Sequence, residues 1–163
     1  AKLAPTLEKA PCPAIPPLAY QGLLTERAKA APRTIVLPES EDDRVLQAAA
    51  QILMLSAANI ILLGEEDAIA SRAQELNLDL AGAQVVSLRD EELLNKYASR
   101  LAELRAHKGV TPEKARQLLQ DSAYFGTMMI ESGDADGMVS GACHTTANTI
   151  RPALQIKIGR AHV

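Results

Sequence analysis

The sequence predicts an α/β domain with a parallel sheet in a three-layer α/β/α arrangement. Three observations carry this expectation. Short apolar runs, TIVLPE, NIILLG and DGMVSG, contain or end in Pro or Gly and have the length of buried strands. Longer stretches with apolar residues at helical spacing lie between them. The connections are short, and strands that alternate with helices pair in parallel and are covered on both faces.

The elements follow in chain order. The opening APTLEKAPCPAIPP holds Pro5, Pro11, Pro13, Pro16 and Pro17. Proline lacks an amide proton and stiffens the chain, so residues 1–17 are expected to be a Pro-rich linker following another domain. A tail on a single-domain chain is the competing reading. Residues 18–29 suit a short helix, and residues 34–39 a buried strand stopped by Pro38. In SEDDRVLQAAAQILMLSA, Ser40 is expected to cap a helix, with Asp43 in the place of the Glu of a capping box. Val45, Leu46, Ala49, Ile52 and Leu53 then recur at helical spacing. Residues 59–64 form a second strand, 65–76 a second helix, and AQVVSL a weaker third strand. A long amphipathic helix over 90–107 ends at Gly109, a C-cap. Thr111 is an N-cap with Pro112 at the first helical position and Glu113 in the first turn. A helix over 122–131, the strand DGMVSG and a helix over 145–156 complete the pattern.

Composition narrows the function classes. Net charge is −3, which gives no electrostatic case for nucleic acid or an anionic membrane. The aromatics are Phe125, Tyr20, Tyr97 and Tyr124, with no Trp, too few for base-stacking platforms. Cys12 and Cys143 are far apart and form no CxxC pair, so neither a metal site nor a disulfide is expected and a reducing cytoplasm fits. No apolar run has bilayer length, and no signal peptide is evident.

In open α/β sheets ligands bind beyond the carboxyl ends of strands. Two such ends are polar: LPESEDDR and DGMVSGACHTTANTIRP. At the second, Gly141 lets a ligand approach the backbone, and the helix that follows offers unpaired amides and the positive end of its dipole. Ser140, Thr145, Thr146 and Thr149 add hydroxyls, and the Arg151 guanidinium can fork onto phosphate oxygens. A phosphate site is one reading; an N-cap in a loop with surface threonines is the other. His144 is either a phosphate donor or general acid, or it orients the loop through a backbone hydrogen bond. Cys143 reads as a small buried hydrophobe rather than a nucleophile, since no base partner is visible. Arg44, among Glu39, Glu41, Asp42 and Asp43, is a substrate-binding cation or a solvated ion pair. Arg105 and Lys108 at a helix end complement the dipole or reach an anion.

The blocks RTIVLPESEDDRVLQAAA, LAELRAHKGVT, YFGTMM and DADGMVSGACHTTANTIRPALQI resemble successive blocks of bacterial phosphate acetyltransferase over residues 20–156. The resemblance implies most of the first domain of a two-domain fold similar to the isocitrate and isopropylmalate dehydrogenases, with the active site between the domains. It implies an acyltransferase of acetate metabolism that reversibly moves acetyl between acetyl phosphate and coenzyme A, the latter as substrate, with no bound cofactor and no metal. By the same resemblance Arg44, Arg105 and Arg151 contact coenzyme A and phosphate, and Ser140, Gly141, His144, Thr145 and Thr146 line the phosphate side. The complete protein is expected to be a cytoplasmic homo-oligomer without nucleic-acid or membrane partners. The family's catalytic aspartate, in an LSRG-type motif near its carboxyl terminus, has no counterpart here. No catalytic residue and no turnover are therefore expected of this chain alone, and the apolar surface left by truncation predicts poor solubility. A regulatory domain like that of large malic enzymes, or a phosphate butyryltransferase, are the alternatives.

The ending KIGRAHV is expected to be non-native. Its codons can be written AAG ATC GGA AGA GCA CAC GTC, which contains the start of a widely used sequencing adapter. On that reading residues 157–163 carry no function.

Overall fold

The computed structural model describes residues 16–156. The expected linker before residue 16 and the expected non-native tail, residues 157–163, lie outside them. Four parallel strands, β1 (Thr34–Leu37), β2 (Asn59–Leu63), β3 (Gln84–Val86) and β4 (Gly137–Met138), form one sheet in the order β3-β2-β1-β4. The chain steps outward from β1 to β3 and then returns to place β4 on the far side of β1. The strand order reverses between β1 and β4, and this makes a topological switch point there.

Among the described residues seven α-helices accompany the strands: α1 (Pro17–Ala30), α2 (Asp43–Met54), α3 (Glu66–Glu75), α4 (Glu91–Arg105), α5 (Pro112–Leu118), α6 (Ser122–Ser132) and α7 (Thr146–Ile156). Successive side chains of a strand point to opposite faces, and each inner strand here is apolar on both. Val36, Ile61, Leu63 and Val86 face a core built with Tyr97, Leu101, Phe125 and Met128 from α4 and α6. Leu37, Ile60 and Leu62 face Leu46 and Ala49 of α2 and Ile69 of α3. The three expected layers are therefore present. On the first face the Tyr97 and Phe125 rings meet edge to face at 5.1 Å, the arrangement their quadrupoles favour. Helix α1 buries none of its residues, and Leu18, Tyr20, Leu23 and Leu24 are exposed. Among the described residues no helix is long and apolar enough to cross a membrane.

Several local expectations hold. Gly109 ends a 3₁₀ turn (Ala106–Lys108) after α4 in the left-handed region, φ 69°. The Thr111 hydroxyl accepts the Lys114 amide, with Pro112 opening α5. Two expectations need correction. Ser40 does not cap α2: it is buried, and its hydroxyl donates to the Leu63 carbonyl at 2.5 Å, tying the end of β1 to the end of β2. The cap is Asp42, whose Oδ1 accepts the Arg44 amide at 2.8 Å. The last strand is also shorter than residues 136–141. Regular pairing covers Gly137–Met138, the Val139 amide still reaches the Val36 carbonyl, and the chain then turns at Gly141 with φ +112°.

The amino ends of β1 and β4 are pinned as well. Asp136 accepts the Thr34 amide at 2.8 Å and pairs with Arg33 at 3.0 Å. With both strands fixed at that end, their carboxyl ends deliver Pro38–Arg44 and Val139–Thr146 to the same place.

Candidate functional site

At the switch point Glu39 leaves β1 and turns inward. Its carboxylate is buried, 1 % exposed. Oε2 accepts the amides of Gly141 and Ala142 at 2.7 and 2.8 Å. Oε1 accepts the amides of Cys143 and His144 at 3.1 and 2.9 Å, and His144 Nδ1 lies 2.8 Å from it. Burial pushes the pKa of Glu39 up, but the amides of Ala142, His144 and Cys143 and the His144 ring outweigh it. They hold the carboxyl well below the usual carboxylate range. Glu39 is thus ionised, has no proton to share, and obliges Nδ1 to be the protonated ring nitrogen.

The turn itself fits this role. Gly141 adopts a φ that other residues rarely reach, and a Cβ placed on it would meet nothing within 4 Å, so its exposed side is open. Its amide, and those through His144, point to Glu39. An internal carboxylate thus holds the amides from Gly141 to His144, and the unpaired amides expected here can come only from the helix that follows. Among the described residues the first-turn amides of Thr146 and Ala147 in α7 have no acceptor, and helix termini leave such donors for a ligand or water. Thr145 caps that helix, its hydroxyl accepting the Asn148 amide at 3.3 Å. Thr146 is exposed beside it. The Ser140 hydroxyl is buried without a protein partner.

Arg44, in the first turn of α2, holds the loop from outside. Its Nη2 donates to the Ala142 carbonyl at 2.8 Å and to Asp42 at 2.6 Å, while Nε donates to the other Asp42 oxygen. The side chain remains 72 % exposed, so the carboxylate that pairs with it leaves a solvent-facing edge. Arg105 sits elsewhere, part-buried at the end of α4, where Nη1 donates to the Gln155 carbonyl at 3.2 Å. The Tyr124 hydroxyl donates to the Gln155 side chain at 2.9 Å. Burial raises the Tyr124 pKa, while the charges of Arg151 and Arg105 act to lower it.

Among the described residues Arg44 and Arg151 border separate hollows. Arg44 borders a hollow of about 540 Å³ with Ile35, Leu37, Val45, Val139 and Gly141. Arg151 borders another of about 520 Å³ with Thr146, Ile150 and Leu154. His144 borders a third, also about 520 Å³, at the carboxyl edge with Ser40, Glu41, Gly64, Glu65 and Asp121. The loop from Ser140 to Thr146 contributes to all three.

Cys143 is exposed, not the small buried residue expected. Its thiol donates to Glu41 at 3.5 Å. Local desolvation and then the Glu41 and Glu39 carboxylates push its pKa up to about 11, so it stays protonated and is no nucleophile at neutral pH. Oxygen, sulfur and nitrogen atoms of Glu39, Cys143 and His144 lie within 4.8 Å of one another, a spacing that can hold a metal ion. Metal ligation needs a thiolate and a bare nitrogen. In this structure the three groups are tied into a hydrogen-bond network: His144 Nδ1 lies against Glu39, the thiol against Glu41, and Glu39 accepts four main-chain amides.

Sequence reasoning put Ser140, Gly141, His144, Thr145 and Thr146 at one strand end and Arg44 at another; the structure brings the two ends together through the bond from Arg44 to the Ala142 carbonyl. It missed Glu39 as the centre of the turn, and Tyr124 and Gln155 as the bridge between Arg105 and α7. The available signal for Glu39 was an acidic residue directly after the strand-ending Pro38, opposite a run of small residues that contribute little but amides.

The fold is that of an open, parallel α/β protein with a switch point between β1 and β4, the kind of edge at which ligands bind in such sheets. Residues 21–162 match the family described as Phosphate acetyl/butaryl transferase, and the chain belongs to that family. It is 45 % identical to a phosphate acetyltransferase of Helicobacter pylori over 87 % of this chain and 27 % of that protein. With the corresponding protein of Corynebacterium glutamicum it shares 47 % identity over 84 % of this chain and 42 % of the relative. Among solved structures, a phosphotransacetylase from Streptococcus pyogenes superposes with a TM-score of 0.82 at 35 % identity, covering 86 % of this chain and 43 % of the other. The EutD phosphotransacetylase from Staphylococcus aureus gives 0.75 at 42 % identity, covering 83 % and 41 %. The chain therefore spans less than half the length of each of these relatives.

Proposed function

We propose that this chain forms one wall of the active site of a phosphate acetyltransferase, which moves acetyl between acetyl phosphate and coenzyme A. The observation that carries the reading is the pinned turn from Ser140 to Thr146 at the switch point, with Arg44 on one side and Arg151 on the other. The relatives' names support it. Arg44, Arg105, Arg151, Ser140, Gly141, His144, Thr145 and Thr146 are the substrate-binding set, with coenzyme A and acetyl phosphate or phosphate as ligands.

In the forward direction the coenzyme A sulfur bonds to the acetyl carbon, the carbon–oxygen bond to phosphate breaks, and phosphate leaves with that electron pair. The thiol proton must pass to a base, because a thiol of pKa ~8.5 is only a few per cent ionised at neutral pH. Glu39 is saturated with donors and Cys143 is protonated, so neither supplies that base. The chain by itself is expected to bind substrates without turning them over; the complete protein is expected to act as a cytoplasmic homo-oligomer.

Calorimetric titration of the chain with coenzyme A and with inorganic phosphate tests this. Arg44→Ala and Arg151→Ala should each weaken binding by about ten- to a hundredfold, the worth of one charge-assisted contact of roughly 1.5–3 kcal/mol. Absence of any coenzyme A binding would overturn the ligand assignment, and acetyl-coenzyme A formation by the chain alone would overturn the expected inactivity.

A further inference from the structure

Glu39 takes no part in the reaction as proposed, yet five donors converge on it from one tetrapeptide. The same oxygen, Oε1, takes both the main-chain amide and the ring Nδ1 of His144. That double contact fixes the ring relative to its own backbone. With Nδ1 committed to an ionised carboxylate, Nε2 is the ring's one remaining polar atom. The side chain is 35 % exposed while Glu39 is 1 % exposed, so Nδ1 faces inward and Nε2 is what an incoming group meets. The charged groups around the ring are Glu39 beneath it, Glu41 through the Cys143 thiol, and Arg44 on the Ala142 carbonyl. Glu65, Arg72 and Asp121 stand across the hollow that His144 borders.

We propose that Glu39 is a positioning residue that acts through His144, fixing the Nδ1–H tautomer and presenting Nε2 to a phosphoryl oxygen of the ligand. The proposal rests on the transferase reading above. When a phosphate dianion arrives, Nε2 takes up a proton from solvent and the imidazolium bridges two anions. Nδ1–H then donates to Glu39 and Nε2–H to the phosphate. No bond to carbon, sulfur or phosphorus changes in this step. An internal carboxylate behind a histidine orients the ring for an outside partner, the logic by which a third group holds a catalytic or metal-binding imidazole.

The test is nitrogen-detected NMR of the full chain labelled with nitrogen-15, with the His144 ring signals assigned by His144→Gln. Without ligand, the neutral ring should show a protonated Nδ1 and a bare Nε2. Inorganic phosphate should move Nε2 toward the protonated position. Glu39→Gln, whose neutral amide oxygen accepts Nδ1–H more weakly than a carboxylate, should let part of the ring population shift to the Nε2–H tautomer and weaken phosphate binding about tenfold, leaving coenzyme A binding less affected. A purely structural Glu39 would leave the tautomer unchanged in any variant that still folds. A hydrogen on Nε2 in the unmodified chain, or an unaltered tautomer in folded Glu39→Gln, overturns the positioning role. Phosphate binding without a response at Nε2 overturns the contact. The tautomer of the unmodified chain requires neither a substitution nor a ligand. If phosphate does not bind at all, the transferase reading fails while the tautomer still decides the role of Glu39.

Discussion

Replacing Glu39 by Gln is expected to destabilise the domain by about 3 kcal/mol. Gln keeps one acceptor oxygen and puts an NH₂ group where the other stood. With the oxygen at the Oε1 position, the Cys143 and His144 contacts survive in weakened form. The NH₂ then faces the amides of Gly141 and Ala142, donor against donor. Hydrogen bonds to a charged acceptor contribute about 1.5–3 kcal/mol each, and an unmade buried bond costs about 1–3 kcal/mol. Two lost bonds, with water able to reach the exposed Gly141 side, bring the total to about 3 kcal/mol. Urea unfolding followed by far-ultraviolet circular dichroism reads this directly. With a slope of about 2 kcal/mol per M, the midpoint should fall by about 1.5 M.

The pH dependence gives a second handle on the same group. In the unfolded chain a Glu titrates near ~4.3, whereas Glu39 in the fold titrates well below the usual range. Above that unfolded value both states are ionised and the stabilisation is fully present. As pH falls through it, the unfolded state binds a proton that the folded state refuses, and stability is lost. The gap between the unmodified chain and Glu39→Gln should be constant above about pH 5.5 and narrow toward pH 3. A midpoint change under about 0.3 M, or a gap that widens in acid, would refute the assignment of Glu39 as a buried, ionised acceptor.

Other outcomes follow from single contacts. Cys143, with its pKa pushed up to about 11, should alkylate slowly at neutral pH and faster with each rise in pH; Glu41→Gln should accelerate it, as mass spectrometry of the modified peptide would show. Gly64 has φ +156° and a Cβ there would stand 2.7 Å from Ser40 Oγ, so Gly64→Ala should cost about 1–3 kcal/mol in thermal or urea unfolding. Tyr97→Phe removes the 2.7 Å bond to Asp134 while Lys96 still pairs with that carboxylate, and the expected loss is about 1 kcal/mol by the same assay. Arg105→Ala frees the Gln155 carbonyl, and amide exchange in the last turn of α7 should quicken while exchange in β1 and β2 does not.

What the sequence revealed was local. Gly109, Thr111 and Pro112 act through bonds within four residues, so their chemistry names their positions. Apolar runs on both strand faces announced a covered parallel sheet. Ser40 misled because a cap and a cross-strand bond ask for the same hydroxyl, and the neighbouring Leu63 carbonyl, 23 residues away, won it. The strand order was not legible: alternation says that strands are parallel, but not that β4 returns past β1. Glu39 depends on that return. Its partners lie 102 to 105 residues along the chain, and in the sequence it is one of four acidic residues around Arg44. The arginines divide likewise. Arg44 lies close in sequence to its anchor Asp42, whereas Arg105 is tied to α7 across 50 residues.

An amide-rich turn at a switch point attracts an anion, and that anion can come from solvent or from the chain. A turn that waits for phosphate must order itself at the moment of binding and lose the free energy of doing so. A turn that carries its own carboxylate is ordered beforehand, at the cost of a buried negative charge close to where an anion must sit. Here that charge is surrounded by amides, faced by an imidazole, and flanked by Arg44 on the opposite side of Ala142. On the proposed reading a phosphoryl group meets a His144 ring that is already oriented, a geometry it does not have to create. Preorganised dipoles and charges of this kind are what acyl transfer with a phosphate leaving group requires. On this account the selectivity of the turn lies in its side chains, and its backbone serves to hold Glu39.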